Sequence, residues 1–285
     1  MSINNAGVAE NAFELQPQNL VITLLGSYVH PHDRTVWSGG LVDLLAEFGF
    51  STGAARVALA RLVRRDLLAR ERAGRHVHYA LTERSAKLLE EGDRRIFSLG
   101  REPHRAELWT VLWHAIPEER RLERARLARR LRFLGFGSAQ DGTWISPHDR
   151  EREVVALIGE LGVAEHAGLL LGNPAASLDF RPFVARAWDL DELSRRYRAF
   201  LSEFGRFTSR RPPDDRHAFV VRTRLVHVFR HFPFLDPELP DELMPAPEYR
   251  AQAVALFHEL YASLAEPAQR YFDAVTGSRP RQAVA

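Results

Sequence analysis

The chain contains no cysteine among its 285 residues, which excludes disulfide bonds, thiol nucleophiles and zinc sites with cysteine ligands. Its single lysine, Lys87, follows the letters TERSA rather than a glycine-rich loop, so P-loop and Schiff-base chemistry are disfavoured. Neither a His-Glu-x-x-His nor a Gly-x-Ser-x-Gly motif occurs. The sequence therefore predicts no catalytic site, metal or cofactor.

Long apolar runs are missing as well. No run approaches the length that crosses a bilayer, and the first 19 residues are polar. We therefore expect a cytoplasmic protein without a secretory peptide. With 45% hydrophobic and 27% charged residues, the chain has the composition of a soluble protein with two or three domains, each with its own core.

Basic charge is concentrated in one segment, residues 51–82, although the net charge of the chain is only +2. This segment carries seven arginines and two acidic residues: Arg56, Arg61, Arg64, Arg65, Arg70, Arg72 and Arg75 against Asp66 and Glu71. Concentrated positive charge is typical of a surface that binds a polyanion. A solvated basic face is the alternative.

The residues around this segment predict three helices. The apolar run LVITLLGSYV ends at Pro31, after which TVW is predicted to be a short edge strand. Ser38 is the expected N-cap of a second helix, and Gly49 is its expected end. Ser51 is the expected N-cap of a third helix with the sequence TGAARVALARLVRRDLL.

A β-hairpin is predicted directly after the third helix. In LLARERAGRHVHYALT, apolar and polar residues alternate on either side of an Ala-Gly-Arg turn. Three helices and a hairpin in this order predict a winged helix-turn-helix, whose third helix enters the major groove of DNA. On that helix Ala55, Leu59 and Leu62 share the predicted core stripe.

The expected DNA contacts follow from this assignment. The outward face of the third helix should read bases, and the tip of the wing should contact the backbone or the minor groove. The predicted DNA-binding residues are Ser51, Thr52, Arg56, Ala60, Arg61, Arg64, Arg72, Arg75 and His76. Because a single winged domain covers a short site, we expect a homodimer on an imperfect palindrome.

The rest of the chain predicts two further domains. Strands and helices alternate over residues 102–175, and this alternation is typical of a ferredoxin-like unit. The predicted elements include a strand LWTVLWHAIP, a helix over 118–134 and a helix capped by Ser146. Residues 176–278 are predicted to be helical, with a proline-rich segment packed along the helices. The winged domain and a linker helix capped by Thr82 span 20–99. The predicted fold class is thus α+β: an N-terminal winged helix-turn-helix, a central ferredoxin-like unit and a C-terminal all-helical domain.

Three stretches resemble a known family in the same order along the chain. They are LLGSYVHPHDRTVWSGGLVDLLAEFGFSTGAARVALARLVRRDLLARERAGRHVHYALT, LWTVLWHAIPEERRLERARLARRLRFLGFGSAQDGTWISP and VHVFRHFPFLDPELPDELMP. The chain resembles the phenylacetic-acid degradation repressor (PaaX-like) family of bacterial transcription regulators. The resemblance implies repression of an aromatic-catabolism operon and an aryl-acyl-CoA effector such as phenylacetyl-CoA.

A cluster near residue 230 leaves three alternatives open. His227 and His231 have the spacing of a helical metal pair, but the neighbouring arginines would repel a cation. The cluster could instead hold an anion or an acidic side chain across a domain interface, or form structural salt bridges. These candidate effector or interface residues are Arg224, His227, Arg230, His231 and Asp236.

An enzymatic alternative is a metal-dependent nuclease built on the central unit. Asp141, His148 and Asp149 would then hold the metal. The predicted strand LWTVLWHAIP supplies no carboxylate, so the regulator is the favoured interpretation.

Overall fold

The structure is a computed structural model that describes residues 15–32, 34–74, 76–101, 108–209, 214–241, 243–277 and 279–280. The chain forms two compact units. Unit 1 combines Met1–Phe97, Ser202–His231 and Ala255–Ala285, and unit 2 combines Ser98–Leu201 and Phe232–Val254. The predicted C-terminal domain, 176–278, is therefore divided between the two units.

The described part of the chain is rich in helix. In chain order its helices are α1 (Pro17–Tyr28), α2 (Ser38–Ala46), α3 (Thr52–Arg64), α4 (Glu83–Ser98), α5 (Arg121–Phe133), α6 (Glu151–Glu160), α7 (Arg181–Ala187), α8 (Leu190–Phe204), α9 (Arg206–Ser209), α10 (Asp215–Phe229), α11 (Phe232–Leu235), α12 (Arg250–Ser263) and α13 (Ala265–Thr276). Its strands are β1 (Arg34–Trp37), β2 (Leu68–Ala73), β3 (His76–Leu81), β4 (Trp109–His114), β5 (Gly137–Gln140), β6 (Thr143–Ser146), β7 (Ala167–Gly172) and β8 (Arg279–Pro280).

Unit 1 contains the three N-terminal helices and the hairpin in the predicted order. Its antiparallel sheet has the order β2-β3-β1-β8, so β1 lies between two strands and the expected edge position of TVW is wrong. Helix α4 follows the hairpin, capped by Thr82, whose Oγ1 accepts a hydrogen bond from Ser85 N. Leu89 of α4 packs against Gly26 of α1, where a Cβ would lie 2.9 Å from Leu89 Cδ2.

The core of unit 1 is shared by both ends of the chain. Tyr28 of α1 is fully buried, with its ring stacked on Phe272 of α13 at 5.0 Å and tilted against Phe219 of α10 at 5.4 Å. Gly40 of α2 lies so close to α13 that a Cβ would be 2.6 Å from the backbone of Thr276. Because real side chains do not tolerate this distance, the second helix of the N-terminal segment depends on glycine for its contact with α13.

Unit 2 has one antiparallel sheet of the order β5-β6-β4-β7. Along the chain its elements run β4-α5-β5-β6-α6-β7, which is the element order of the ferredoxin-like motif. One face of the sheet packs against α5 and α6 through Leu112, Leu127 and Val154. The opposite face carries Trp109 and packs against α7 and part of the proline-rich segment, including Leu239.

Several local predictions need correction. Ser38 is not an N-cap: α2 begins at Ser38 itself, and Trp37 occupies the cap position without a side-chain hydrogen bond because β1 leads directly into the helix. Ser146 ends β6 rather than capping α6, which begins at Glu151, where Asp149 Oδ1 accepts a hydrogen bond from the backbone.

Other elements differ in length or position. Strand β5, with the sequence GSAQ, was not predicted, because it contains no aliphatic β-branched or aromatic residue. Near the end of the region predicted to be helical, α12 and α13 are separated at Leu264, three residues before Pro267, which cannot donate a helical hydrogen bond. The proline-rich segment was predicted to pack along helices. It also packs on the sheet of unit 2, which the prediction did not include.

Candidate nucleic-acid interface

Helix α3 presents one buried and one exposed face. Ser51 caps it as predicted, since its Oγ accepts a hydrogen bond from Ala54 N at 3.2 Å. The buried face consists of Ala55, Ala58, Leu59 and Leu62, which belong to unit 1. The spacing of these four residues orients the whole helix, because an α-helix turns once every 3.6 residues.

The exposed face contains every outward residue predicted from the sequence: Thr52, Arg56, Ala60, Arg61 and Arg64. It also contains Val57, which is 49% exposed and was missed. Helical spacing could have placed Val57 on this face, since it lies three residues before Ala60 and four before Arg61. The face is thus basic with small apolar residues between the arginines.

The arginines of this face have no carboxylate partner in the ranges that the structure describes. Within the described residues, none of Arg56, Arg61 and Arg64 takes part in an ion pair or a side-chain hydrogen bond. Each guanidinium has five N–H donors and no acceptor. Exposed guanidiniums on one helix face, without protein partners among the described residues, are suited to binding phosphates or the acceptor groups of guanine.

The hairpin next to α3 ends in a two-residue turn. Ala73 and His76 are paired across the strands, and Gly74 has a φ of +61°, a conformation that glycine adopts without strain. Arg72 is exposed, with Nε 3.4 Å from Gly74 O. His76 is exposed too, and its ring packs edge-on against Trp37 at 6.0 Å.

One predicted contact at the wing, Arg75, lies outside the described residues. Exposure therefore supports Arg72 and His76 as wing contacts, and Arg75 stays a prediction.

The C-terminal helices of unit 1 hold α2, the helix that precedes α3. Glu47, directly after α2, accepts hydrogen bonds from Arg216 Nε at 2.8 Å and Tyr271 OH at 2.7 Å. The hydrogen bond from Arg216 lowers the pKa of Glu47, and the bond from Tyr271 adds to this effect. Displacement of α10 or α13 would therefore act directly on the helix pair that positions the exposed arginines.

Three models of one family match successive parts of the chain. "PaaX-like protein" matches residues 16–85, "PaaX protein central Cas2-like domain" matches 102–181, and "PaaX-like protein C-terminal domain" matches 188–274. The chain belongs to the PaaX-like family. The first match includes α3 and the hairpin, and the second includes the whole sheet of unit 2.

Known proteins similar to this PaaX-like chain include a curated repressor and a solved structure. The chain is 29% identical over 253 residues to "Transcriptional repressor PaaX" of Escherichia coli strain K12, covering 84% of this chain and 77% of the relative. The uncharacterized protein Rv0674 from Mycobacterium tuberculosis is 24% identical, with a TM-score of 0.55 over 90% of this chain and 99% of that one. The second likeness concerns the fold alone.

The candidate effector residues of the PaaX-like chain in unit 1 are held by protein groups. Buried His227 has Nδ1 3.0 Å from Thr23 Oγ1, and Arg230 donates to the same Oγ1 at 2.9 Å. Burial lowers the pKa of Arg230 to about 10, so it stays charged at neutral pH. Arg224 is exposed and pairs with Glu203 at 2.7 Å. These contacts favour the structural alternative for the three residues.

The other two candidates also have local contacts. Asp236 is buried in unit 2, where it accepts hydrogen bonds from Tyr197 OH at 2.7 Å and Arg250 NH1 at 3.2 Å. His231 has Nδ1 3.3 Å from Val228 O in unit 1. Sequence reasoning missed Tyr197 and Arg250, because neither is near Asp236 in the sequence.

The residues of the nuclease alternative are parts of turns and loops. Asp149 accepts the backbone hydrogen bond that starts α6, and His148 O accepts a bond from Thr110 Oγ1 at 2.8 Å. Among the described residues, no three histidine or acidic side chains are arranged to hold a metal ion. Nor does any helix in the described ranges have the length and apolar character to cross a membrane.

Proposed function

We propose that the chain is a sequence-specific DNA-binding transcriptional repressor. The N-terminal helices and hairpin of unit 1 serve as a winged helix-turn-helix, with α3 as the recognition helix. The observation that carries this proposal is the exposed face of α3, where Arg56, Arg61 and Arg64 have no carboxylate partner among the described residues. Membership of the PaaX-like family and the likeness to a curated repressor support it.

Helix α3 lies in the major groove in this proposal. Its arginines pair with guanine through two hydrogen bonds each, or anchor phosphates. The methyl groups of Val57 and Ala60 contact thymine methyl groups, which only the major groove displays. Ser51, Thr52 and the first backbone amides of α3 bind a phosphate at the positive end of the helix dipole.

The wing contacts the DNA beside the groove that α3 enters. Arg72, Arg75 and His76 bind phosphate oxygens or the minor groove, and these contacts add affinity without sequence preference. The chain acts as a homodimer on an imperfect palindrome, since a two-fold protein matches a two-fold site.

An acyl-CoA thioester releases the repressor from an aromatic-catabolism operon. The family resemblance supports an aryl-acyl-CoA such as phenylacetyl-CoA. The contacts of Glu47 with Arg216 and Tyr271 supply a route within unit 1, because a ligand that moves α10 or α13 would also move α2. The regulator is not an enzyme.

The function is tested by binding of the chain to DNA from upstream of its own gene. A gel-shift assay is run beside a magnesium-dependent cleavage assay on the same DNA. We expect a retarded complex that survives excess unrelated duplex, with no cleavage. Cleavage without retardation would replace the repressor with the nuclease, although the turn roles of Asp141, His148 and Asp149 do not favour that outcome.

The effector class is tested by thermal shift. Phenylacetyl-CoA and other acyl-CoA thioesters should raise the melting temperature, with free CoA and free phenylacetate as controls. If no thioester stabilises the chain, the effector proposal fails while the DNA-binding proposal stands.

A further inference from the structure

Helix α5 of unit 2 carries a second group of arginines that lack acidic partners. The helix and the 3-10 turn before it contain seven arginines and three glutamates, and its buried residues are Leu127 and Leu131. At 3.6 residues per turn, Arg129 lies opposite these two leucines, and Arg121 and Arg126 lie about 80° and 60° around the helix on either side of Arg129. We call these three residues the α5 stripe; all three are exposed.

The other arginines of the α5 region have protein partners. Arg124 pairs with Glu118 at 2.6 Å, and Arg130 lies 3.7 Å from Glu160. Arg132 lies over the ring of a tryptophan at 5.2 Å from its centre. Among the described residues, the three arginines of the α5 stripe have no ion pair and no side-chain hydrogen bond.

The α5 stripe shares this property with the exposed face of α3. Arg121 and Arg129 are eight residues apart, so the stripe extends along about 12 Å of helix. Duplex DNA carries one negative charge per about 1.7 Å of its axis, and a stripe of this length meets several phosphates. A free phosphate would stay hydrated on such an open helix face, whereas a duplex presents an extended line of charge.

We infer that the α5 stripe is a second DNA-contact surface, which binds the phosphate backbone of the duplex without reading its sequence. This inference rests on the proposed DNA-binding function and assigns to unit 2 a part of it. Lysine or arginine contacts to phosphates release counterions, so their number is measured by the salt dependence of binding. The surface should raise affinity for every duplex by a similar factor.

The test compares two triple variants of the full chain. The first is Arg121→Ala, Arg126→Ala and Arg129→Ala. The control is Arg181→Ala, Arg195→Ala and Arg224→Ala, which removes the same charge from exposed arginines that pair with carboxylates. Fluorescence anisotropy measures binding to operator and to unrelated duplex between about 0.1 and 0.4 M salt, a range in which phosphate contacts dominate the slope.

The first variant should bind both duplexes roughly ten- to a hundredfold more weakly at about 0.15 M salt, with a salt slope smaller by up to about 2.7 per chain. Its ratio of specific to unspecific affinity should be unchanged. The control should keep the wild-type slope. Replacement of the three arginines by lysine should restore most of the slope, because a point charge suffices for a phosphate.

Wild-type affinity and slope in the first variant would overturn the inference, as would an equal loss in the control. If the alanine variant has a lower melting temperature than the wild type, DNA binding by Arg129→Glu is compared with DNA binding by Arg181→Glu, and this comparison tests the same inference. Failure of the wild-type chain to bind any duplex would instead reject the proposed repressor function. Phenylacetyl-CoA could instead raise the melting temperature of the wild type but not of the first variant, while both bind DNA equally well. That result would assign the α5 stripe to the effector and overturn the inference.

Discussion

Helices α3 and α10 of unit 1 are both rich in arginine, yet the structure treats their arginines differently. On α10, Arg216 pairs with Glu47 at 2.6 Å. Arg222 is buried, with its guanidinium over the rings of Tyr28 at 5.1 Å and Tyr261 at 4.2 Å. These arginines are occupied in holding the helices of unit 1 together.

On α3 the corresponding side chains are exposed and have no such partners in the part of the chain that the structure describes. Arg56, Arg61 and Arg64 project from a helix whose only buried residues are small or aliphatic. Arg216 and Arg224 of α10 are exposed as well, yet they pair with Glu47 and Glu203. The difference teaches that the absence of a carboxylate partner among the described residues, rather than arginine content, distinguishes the surface that we propose to bind DNA.

The largest effect is expected from replacing the three α3 arginines together by alanine. Each base-reading arginine contributes about 1–3 kcal/mol, so operator affinity should fall roughly a thousandfold or more. The melting temperature should change little, because the three side chains are exposed and make no ion pair or side-chain hydrogen bond with the described residues. Anisotropy and thermal melting measure the two effects, and intact operator affinity would show that α3 is not the reading helix.

A smaller effect, on stability, is expected from Arg222→Ala. The change removes two cation–π contacts and a hydrogen bond to Tyr261 O at 3.3 Å, and it leaves a cavity. The free energy of unfolding should fall by about 2–4 kcal/mol. Arg222→Met keeps the packing of the stem and should lose less than half as much in urea titrations. Equal losses in both variants would mean that the charge itself dominates.

Arg224→Ala should change the free energy of unfolding by less than about 1 kcal/mol, because the pair with Glu203 is half exposed and screened by water. Operator affinity should stay within about twofold, in contrast to any α3 arginine. A large loss of operator affinity would break the comparison, since it would place a paired arginine in the DNA interface.

The smallest effect concerns pH. The hydrogen bond from Arg216 holds the pKa of Glu47 below its usual value of 4.5. The stabilisation is therefore fully present above about pH 4.5 and is lost as the pH falls through the lower value of the folded chain. Glu47→Gln should weaken the loss of stability between about pH 5 and 3, measured by thermal melting at each pH. An unchanged pH profile would show that the pair does not couple α2 to α10.

Local sequence signals explain why the N-terminal elements were predictable. Ser51 caps α3 through its own side chain, and Gly74 has the positive φ that the hairpin turn requires. Both signals act within a few residues, so no tertiary information is needed. The spacing of Ala55, Leu59 and Leu62 then predicts which face of α3 is exposed, and the same face is exposed in the structure.

Long-range pairing could not be predicted in the same way. Phe219 and Phe272 are far from Tyr28 of α1 in the sequence, so no local pattern says that they pack against it. For the same reason, the sequence does not reveal that Asp236 meets Tyr197 and Arg250. The sequence also does not show which arginines are paired, because a partner carboxylate can be distant in the sequence.

The shared core of unit 1 has a consequence for biosynthesis. The hairpin is complete at Leu81, but the core also needs Phe219 and Phe272, and β1 pairs with β8 at Arg279. At about 5–20 residues per second, the ribosome needs on the order of ten seconds or more to make the intervening chain. Helices α1, α2 and α3 thus reach their final packing only after Phe272 and β8 have been made, so a chain terminated before them would lack the completed core of unit 1.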